Sequence, residues 1–251
     1  MVKNSCCLNI QGCGMKGFYS GRIESITPTE FASMIDHTLL KPDADYKILE
    51  KYINDVREHG FKLLMLPLSL LDKALEIAGR TIKYGVVVGF PLGNTSTKVK
   101  VFEAVEAASS GASEVDMVMN ISLFKSREYA RVLEDISTVV AEAKKRGIES
   151  VKVIIETTLL DDSEKIKAVE LVSSAGADFV KTNTGFLGGG ATVHDVALLY
   201  RASQGRIRVK ASGGIRHALD ALALIEAGAS RIGTSSGDKL MKEFLELTGE
   251  A

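Results

Sequence analysis

Two apolar runs end in lysine and open into polar, glycine-bearing loops. They are Ala177-Asp178-Phe179-Val180-Lys181-Thr182-Asn183-Thr184-Gly185-Phe186 and Ile207-Arg208-Val209-Lys210-Ala211-Ser212-Gly213-Gly214. Each run reads as a buried strand, where a lysine is costly to desolvate. One such lysine is accounted for by a buried stem with its ammonium in solvent. Two in the same setting point to chemistry. Paired ammonium groups in a dry mouth repel, and burial penalises each charge, so a lysine pKa falls and free amine appears. A free amine attacks a carbonyl carbon and gives a Schiff base. The second lysine then keeps its proton as electrostatic partner or acid. Asp116, in Glu114-Val115-Asp116-Met117-Val118, is a carboxylate able to move protons between them. The competing reading is a buried Lys–Asp ion pair that only closes one end of the fold.

Two further stretches suit an anion. Ser212-Gly213-Gly214-Ile215-Arg216 and Thr234-Ser235-Ser236-Gly237 combine glycines, which let backbone N–H groups approach, with hydroxyl donors. Gly188-Gly189-Gly190-Ala191-Thr192 adds a flexible wall, and Thr192 is also a plausible helix cap. His37, His59, His194 and His217 lack metal-ligand spacing, which disfavours a zinc centre. No G-x-G-x-x-G follows the first strand, which weakens a dinucleotide fold.

The elements that must position these residues alternate along the chain. Helical periodicity covers Asp45 to His59, Leu70 to Ala78, Val99 to Ser110, Glu128 to Arg146, Asp162 to Ser174, Thr192 to Ala202, Ala218 to Ala227 and Lys239 to Thr248. Thr27 and Pro28 open a short helix before these. Strands are expected at Ile35 to Leu40, Lys62 to Pro67, Gly85 to Pro91, Glu114 to Met119, Val151 to Glu156, at the two lysine runs, and at Arg231 to Thr234. Eight strands, each followed by a helix, predict a single α/β domain, a closed parallel (β/α)8 TIM barrel. Gly111-Ala112, Gly176-Ala177 and Gly228-Ala229 each end a helix just before a strand. Five residues after each of these glycines stand Asp116, Lys181 and Gly233, and the same count from Gly205 reaches Lys210. Equal offsets predict equal heights, at the carboxyl ends of strands where such barrels carry their active sites. The two anion loops then follow strands seven and eight, the usual phosphate position of this architecture.

Composition fits that picture. The chain has 251 residues, 45% hydrophobic and 25% charged, enough for one large core without disulfides or metal. A net charge of −1 gives no general attraction to nucleic acid or anionic membrane. No apolar run reaches the roughly 18 residues that span a bilayer, and the first residues lack the apolar core of a secretory signal, so the cytoplasm is expected. Cys6, Cys7 and Cys13 all lie near the start, without a zinc pattern, and read as reduced thiols. Residues 1–21 are expected to be a loosely ordered extension, and residues 22–251 the barrel domain.

Ile35-Asp36-His37-Thr38-Leu39-Leu40-Lys41-Pro42, the Asp116 segment, Val180 to Phe186, Gly188 to Thr192 and Val209 to Arg216 resemble, in order, the deoxyribose-phosphate aldolases. The resemblance runs from about Ile35 to Gly237. It implies a class I, metal-free aldolase that needs no cofactor. The reaction would cleave 2-deoxy-D-ribose 5-phosphate to D-glyceraldehyde 3-phosphate and acetaldehyde. By that resemblance Lys181 forms the Schiff base, Lys210 lowers its pKa, and Asp116 belongs to the proton relay. Thr184, Gly213, Gly214, Ile215, Arg216, Gly233, Ser235 and Ser236 would bind substrate and phosphate. The partners would be a small sugar phosphate and an aldehyde, with the chain a homo-oligomer, dimer or tetramer. Two positions depart from the family pattern. Asn183 stands where the family usually has serine, and Leu64 where many members have cysteine, which leaves substrate tolerance and aldehyde sensitivity open. The rival readings are a Schiff-base aldolase for another sugar phosphate, a phosphate-binding isomerase, and a non-catalytic sugar-phosphate binder.

Overall fold

The structure, a computed structural model, describes residues 26–250. The expectations for residues 1–21, including Cys6, Cys7 and Cys13, lie outside the described residues.

Local chemistry sets the helix starts. In α1 (Pro28–Ser33) the Glu30 N–H donates to the Thr27 hydroxyl and the Thr27 N–H donates back to the Glu30 carboxylate, a capping box. Asp45 accepts the Ile48 N–H at the start of α2 (Tyr46–His59), and Gly60 ends it in the left-handed region at φ 71°. The chain continues through α3 (Leu68–Ala78), α4 (Thr97–Ser110), α5 (Ile121–Lys125), α6 (Tyr129–Lys145), α7 (Asp162–Ser174), α8 (Val193–Ser203), α9 (Ala218–Glu226) and α10 (Gly237–Thr248).

The strands are β1 (Ile35–Thr38), β2 (Leu63–Leu66), β3 (Tyr84–Val88), β4 (Glu114–Val118), β5 (Ser150–Ile154), β6 (Phe179–Lys181), β7 (Arg208–Ser212) and β8 (Ala229–Thr234). They pair in parallel, each with the next, and β8 returns to β1 through Ile35 opposite Ile232 and Asp36 opposite Gly233. The barrel is closed, as the repeat predicts. Gly111, Gly176 and Gly228 all have positive φ, the role the sequence assigns them.

Several details differ from the sequence reading, among them the fifth strand, which ends at Ile154 and not at Glu156. The first strand ends at Thr38 and the third at Val88 instead of running to Leu40 and Pro91. At the third, Gly89 turns at φ 62° and its N–H leaves the ladder for the Glu103 carboxylate. Helix α5 and a 3-10 turn at Thr157–Leu159 are additional; both are too short to leave a periodic trace.

Strand residues alternate between two environments. Outward residues such as Leu64, Leu66, Val86, Met117, Val153 and Ile232 join the apolar layer under the helices. Inward residues Leu63, Met65 and Val87 form a small separate cluster with Leu40 and Phe90. Gly85 lies beside it, and a Cβ there would sit 2.5 Å from the Met65 methyl, so a larger residue would make that side chain shift. The interior on the β4–β8 side is charged instead.

Candidate active site

The inward row of β4 to β8 brings the three sequence-selected residues together. Lys181 and Lys210 are register partners on β6 and β7, and Asp116 is the partner of Lys152 on β5. Asp116 Oδ2 accepts from both Lys181 Nζ and Lys210 Nζ, at 2.7 Å each. Its Oδ1 accepts from Lys152 Nζ at 2.9 Å. All four side chains are buried.

Four residues that the sequence reading left without a role complete the network. Lys152 Nζ also reaches Glu114 at 2.5 Å. Lys210 Nζ donates to Asp36 Oδ2 at 2.5 Å. Arg231 Nε donates to Asp36 Oδ1 at 2.8 Å, and Arg231 also contacts Glu114. Gly233 sits between Asp36 and Ser212 in the sheet. A Cβ on Gly233 would lie 3.1 Å from Lys210 Cε and 3.0 Å from Ser212 Cβ, so glycine leaves room for the lysine stem.

The electrostatics follow from burial. Desolvation pulls the Lys181 ammonium down to about 8; the Asp116 carboxylate opposes this, while Lys210 and Lys152 add to it. Of the two causes the sequence argument names, burial and the neighbouring lysine, burial is the larger. Burial acts to raise the Asp116 carboxyl, yet Lys152, Lys181 and Lys210 outweigh it and hold it well below the usual carboxylate range. Asp36 is lowered in the same way, by Lys210, Arg231 and Lys152 against its own burial. Lys152 is raised, because Asp116, Asp36 and Glu114 overcome its desolvation.

Lys181 borders a cavity of about 230 Å³. Thr184, Gly213, Gly214, Ile215, Arg216, Gly233 and Ser235 line it, together with Thr38, Leu40, Lys41, Gly185, Phe186, Ser212 and Thr234. Ser236 does not. Its N–H donates to the Thr234 hydroxyl at 3.0 Å as α10 begins. Gly213 and Gly214 take φ 97° and 74°, and Gly190 fits against the Gly213 carbonyl where a Cβ would be 2.6 Å away. Lys41 and Arg216 are exposed cations on this wall. The arrangement offers a buried amine of lowered pKa at one end and cations with glycine backbone at the other.

The two family departures fall away from the amine. Leu64 is buried in the outer apolar layer. Asn183 is fully buried; its Oδ1 accepts from the Thr158 hydroxyl at 2.9 Å and its Nδ2 donates to the Thr157 hydroxyl at 3.0 Å. One group among the described residues has metal-binding geometry, Asp162, His194 and Asp195. Lys165 Nζ already occupies it, 2.7 Å from Asp195 and 3.1 Å from Asp162. No helix among the described residues is long and apolar enough to cross a membrane.

Comparison with known proteins agrees with this geometry. A protein from Thermoanaerobacter sp. (strain X514) named deoxyribose-phosphate aldolase is 51% identical over 217 residues, covering 86% of this chain and 97% of that relative. One of the same name from Carboxydothermus hydrogenoformans is 52% identical over 219 residues, covering 86% and 96%. The solved tetrameric deoxyribose phosphate aldolase from Aeropyrum pernix superposes with a TM-score of 0.84 at 35% identity, covering 91% of this chain and 99% of that one. The family model described as DeoC/LacD family aldolase matches residues 31–242. The chain therefore belongs to the DeoC/LacD family of aldolases.

Proposed function

We propose that this chain is a class I aldolase, a lyase that reversibly cleaves 2-deoxy-D-ribose 5-phosphate to D-glyceraldehyde 3-phosphate and acetaldehyde. The observation that carries the reading is the Lys181 amine, buried, lowered to about 8 and bordering the cavity. Near neutral pH a sizeable fraction is then nucleophilic.

Lys181 attacks C1 of the open-chain sugar, and the carbinolamine loses water to give a protonated imine. Loss of the C3 hydroxyl proton breaks the C2–C3 bond, and the electron pair passes to the iminium. D-glyceraldehyde 3-phosphate leaves, and an enamine remains on Lys181. Protonation at C2 and hydrolysis then release acetaldehyde and the free amine. Asp116 shares one oxygen between Lys181 and Lys210, which suits it to relay these protons. Lys210 holds positive charge beside the developing imine. The phosphate lies against Gly213, Gly214, Ile215, Arg216, Gly233 and Ser235, where backbone N–H groups and a guanidinium meet an anion. Thr184 contacts the sugar. Ser236 acts only through the start of α10.

The reading extends to the assembly and its setting. The chain works as a homo-oligomer, in line with the tetrameric Aeropyrum pernix relative and with Phe102 and Val99 exposed on α4. It works in the cytoplasm, where phosphorylated sugars are retained. Residues 1–21 are an extension outside the barrel domain of residues 22–251.

Borohydride reduction in the presence of acetaldehyde tests the chemistry, since only an imine is fixed as a stable adduct. Peptide mass spectrometry is expected to place an ethyl group on Lys181, and Lys181→Arg is expected to abolish both the adduct and turnover with the fold intact, because guanidinium is not deprotonated in proteins. No adduct in the wild type, or normal turnover by the folded variant, refutes the imine. A panel of sugar phosphates then separates this substrate from another.

A further inference from the structure

Just beyond β5, Glu156 combines two unfavourable features. It is fully buried, and its backbone is left-handed at φ 54° and ψ 69°, which a residue with a side chain adopts only under constraint. Its Oε2 accepts the Thr184 N–H at 2.9 Å. Its Oε1 is also buried and accepts from no described residue. Buried carboxylates ordinarily have both oxygens satisfied. The single bond to Thr184 is thus what this carboxylate is placed for.

The surrounding contacts say where that bond acts. Residues 156–158 lie along residues 182–184. The Thr157 N–H donates to the Thr182 carbonyl at 3.0 Å, and the Asn183 side chain bonds Thr157 and Thr158. Thr182 and Asn183 do not line the cavity, whereas Thr184, Gly185 and Phe186 do. The Thr184 hydroxyl accepts the Phe186 N–H at 3.2 Å, which folds these three residues into one turn. The hydroxyl proton of Thr184 is committed to no described residue. Glu156 is therefore the contact from the β5 loop that reaches the cavity wall itself.

We propose that Glu156 is a positioning residue for substrate recognition: its carboxylate fixes the Thr184–Phe186 turn through the Thr184 N–H, and its left-handed backbone aims it there. The inference rests on the aldolase reading. It assigns Glu156 to binding of the full sugar phosphate and not to imine formation, because Lys181 sits in β6 below the turn with its own partner, Asp116.

Glu156→Gly separates the effects. Glycine takes this backbone conformation without strain, so the variant is expected to melt close to the wild type. It removes the acceptor, and a hydrogen bond to a charged group corresponds to roughly tenfold or more in binding. KM for 2-deoxyribose 5-phosphate is expected to rise by about that factor, while borohydride trapping of acetaldehyde on Lys181 stays within about twofold of wild type. Glu156→Gln keeps an oxygen able to accept the Thr184 N–H and is expected to restore KM to within about threefold. If the glycine variant does not fold, Glu156→Asp retains charge but shortens the reach and is expected to raise KM in the same way. An unchanged KM in the folded glycine or aspartate variant overturns the proposal. So does trapping that falls in proportion to turnover, or a glutamine variant as impaired as the glycine one. Wild-type protein that forms no adduct with acetaldehyde would instead remove the aldolase reading beneath it.

Discussion

Replacing Lys210 with leucine asks how much of the Lys181 shift comes from its neighbour. Both nitrogens lie 2.7 Å from the same Asp116 oxygen, so they are at most about twice that distance apart. Two unit charges at that separation and an effective dielectric near 20 repel by about 3 kcal/mol. At about 1.4 kcal/mol per pK unit, loss of Lys210 raises the Lys181 pKa by about two units. With the wild-type value about 8, roughly a quarter of Lys181 is free amine at pH 7.5. A value near 10 leaves about one part in three hundred, so imine formation at that pH falls by up to about a hundredfold. Burial remains in the variant, so the shift stops short of the value for a lysine in water.

The assay is the rate of borohydride trapping with acetaldehyde between pH 6 and 10.5, with circular dichroism to verify the fold. Wild type is expected to titrate near 8, and Lys210→Leu one to two units higher, recovering most of its rate at alkaline pH. Lys210→Arg keeps the charge, so its trapping profile stays near that of wild type while turnover drops from lost proton transfer. An apparent pKa in the leucine variant within about half a unit of wild type refutes the electrostatic role. Burial would then account for the shift, and Lys210 would act through protons or substrate contact.

Ser235→Asp places a carboxylate on the cavity wall, and KM for the phosphorylated sugar is expected to rise tenfold or more relative to unphosphorylated deoxyribose, measured by steady-state kinetics on both. Ser236→Asp, off the wall, is expected to discriminate much less between them. Asp36 and Asp116 have lowered folded pKa values, so the stability they contribute is present above the unfolded value near 4 and is lost as pH falls through the folded values; thermal melts from pH 7 to 2 are expected to show Tm dropping below about pH 4. Lys181 has the opposite sign: its lowered pKa destabilises the fold fully below about 8, and that penalty fades as pH rises toward 10.5. Deletion of residues 1–21 is expected to leave turnover and cooperative unfolding within about twofold and a few degrees of the full chain, and a loss of folding or of an oligomer would show that the segment docks.

The closed barrel was legible because helix-ending glycines mark where the strands after the first begin. Counting five residues from Gly111, Gly176 and Gly205 reached Asp116, Lys181 and Lys210, which share one carboxylate. The same count from Gly147 reaches Lys152, yet Val151-Lys152-Val153 reads as ordinary alternation, and nothing local distinguishes a charged neighbour from a solvated face. Asp36 had no such mark, since the cap of α1, Met34, is in the right-handed region. Arg231 is displaced by the irregularity between Val209 and Lys210 opposite β8, which breaks simple register counting. Ser235-Ser236 gives two equivalent hydroxyls in sequence, and it takes the structure to show that Ser235 is the one of the two that lines the cavity. The strain at Glu156 belongs to the backbone and leaves no compositional trace.

The ion network itself explains which lysine is free to react. Asp36, Glu114 and Asp116 face Lys152, Lys181, Lys210 and Arg231 inside one barrel, so with every group charged the network holds one cation in excess. A buried net charge is penalised, and releasing one proton removes it. The proton leaves where it is held least. Lys152 contacts Glu114 and Asp116, Lys210 contacts Asp36 and Asp116, and Arg231 contacts Asp36 and Glu114. Among the described residues Lys181 pairs with Asp116 alone, and it also borders the cavity. For Lys152, Arg231 and Lys181 the directions agree with this count: the first two are raised, and Lys181 is lowered. On this argument the amine that gives up its proton is selected by having one carboxylate where its neighbours have two. Replacing Asp36 with asparagine would leave Lys210 leaning on Asp116 alone, and the distinction between the two lysines would narrow.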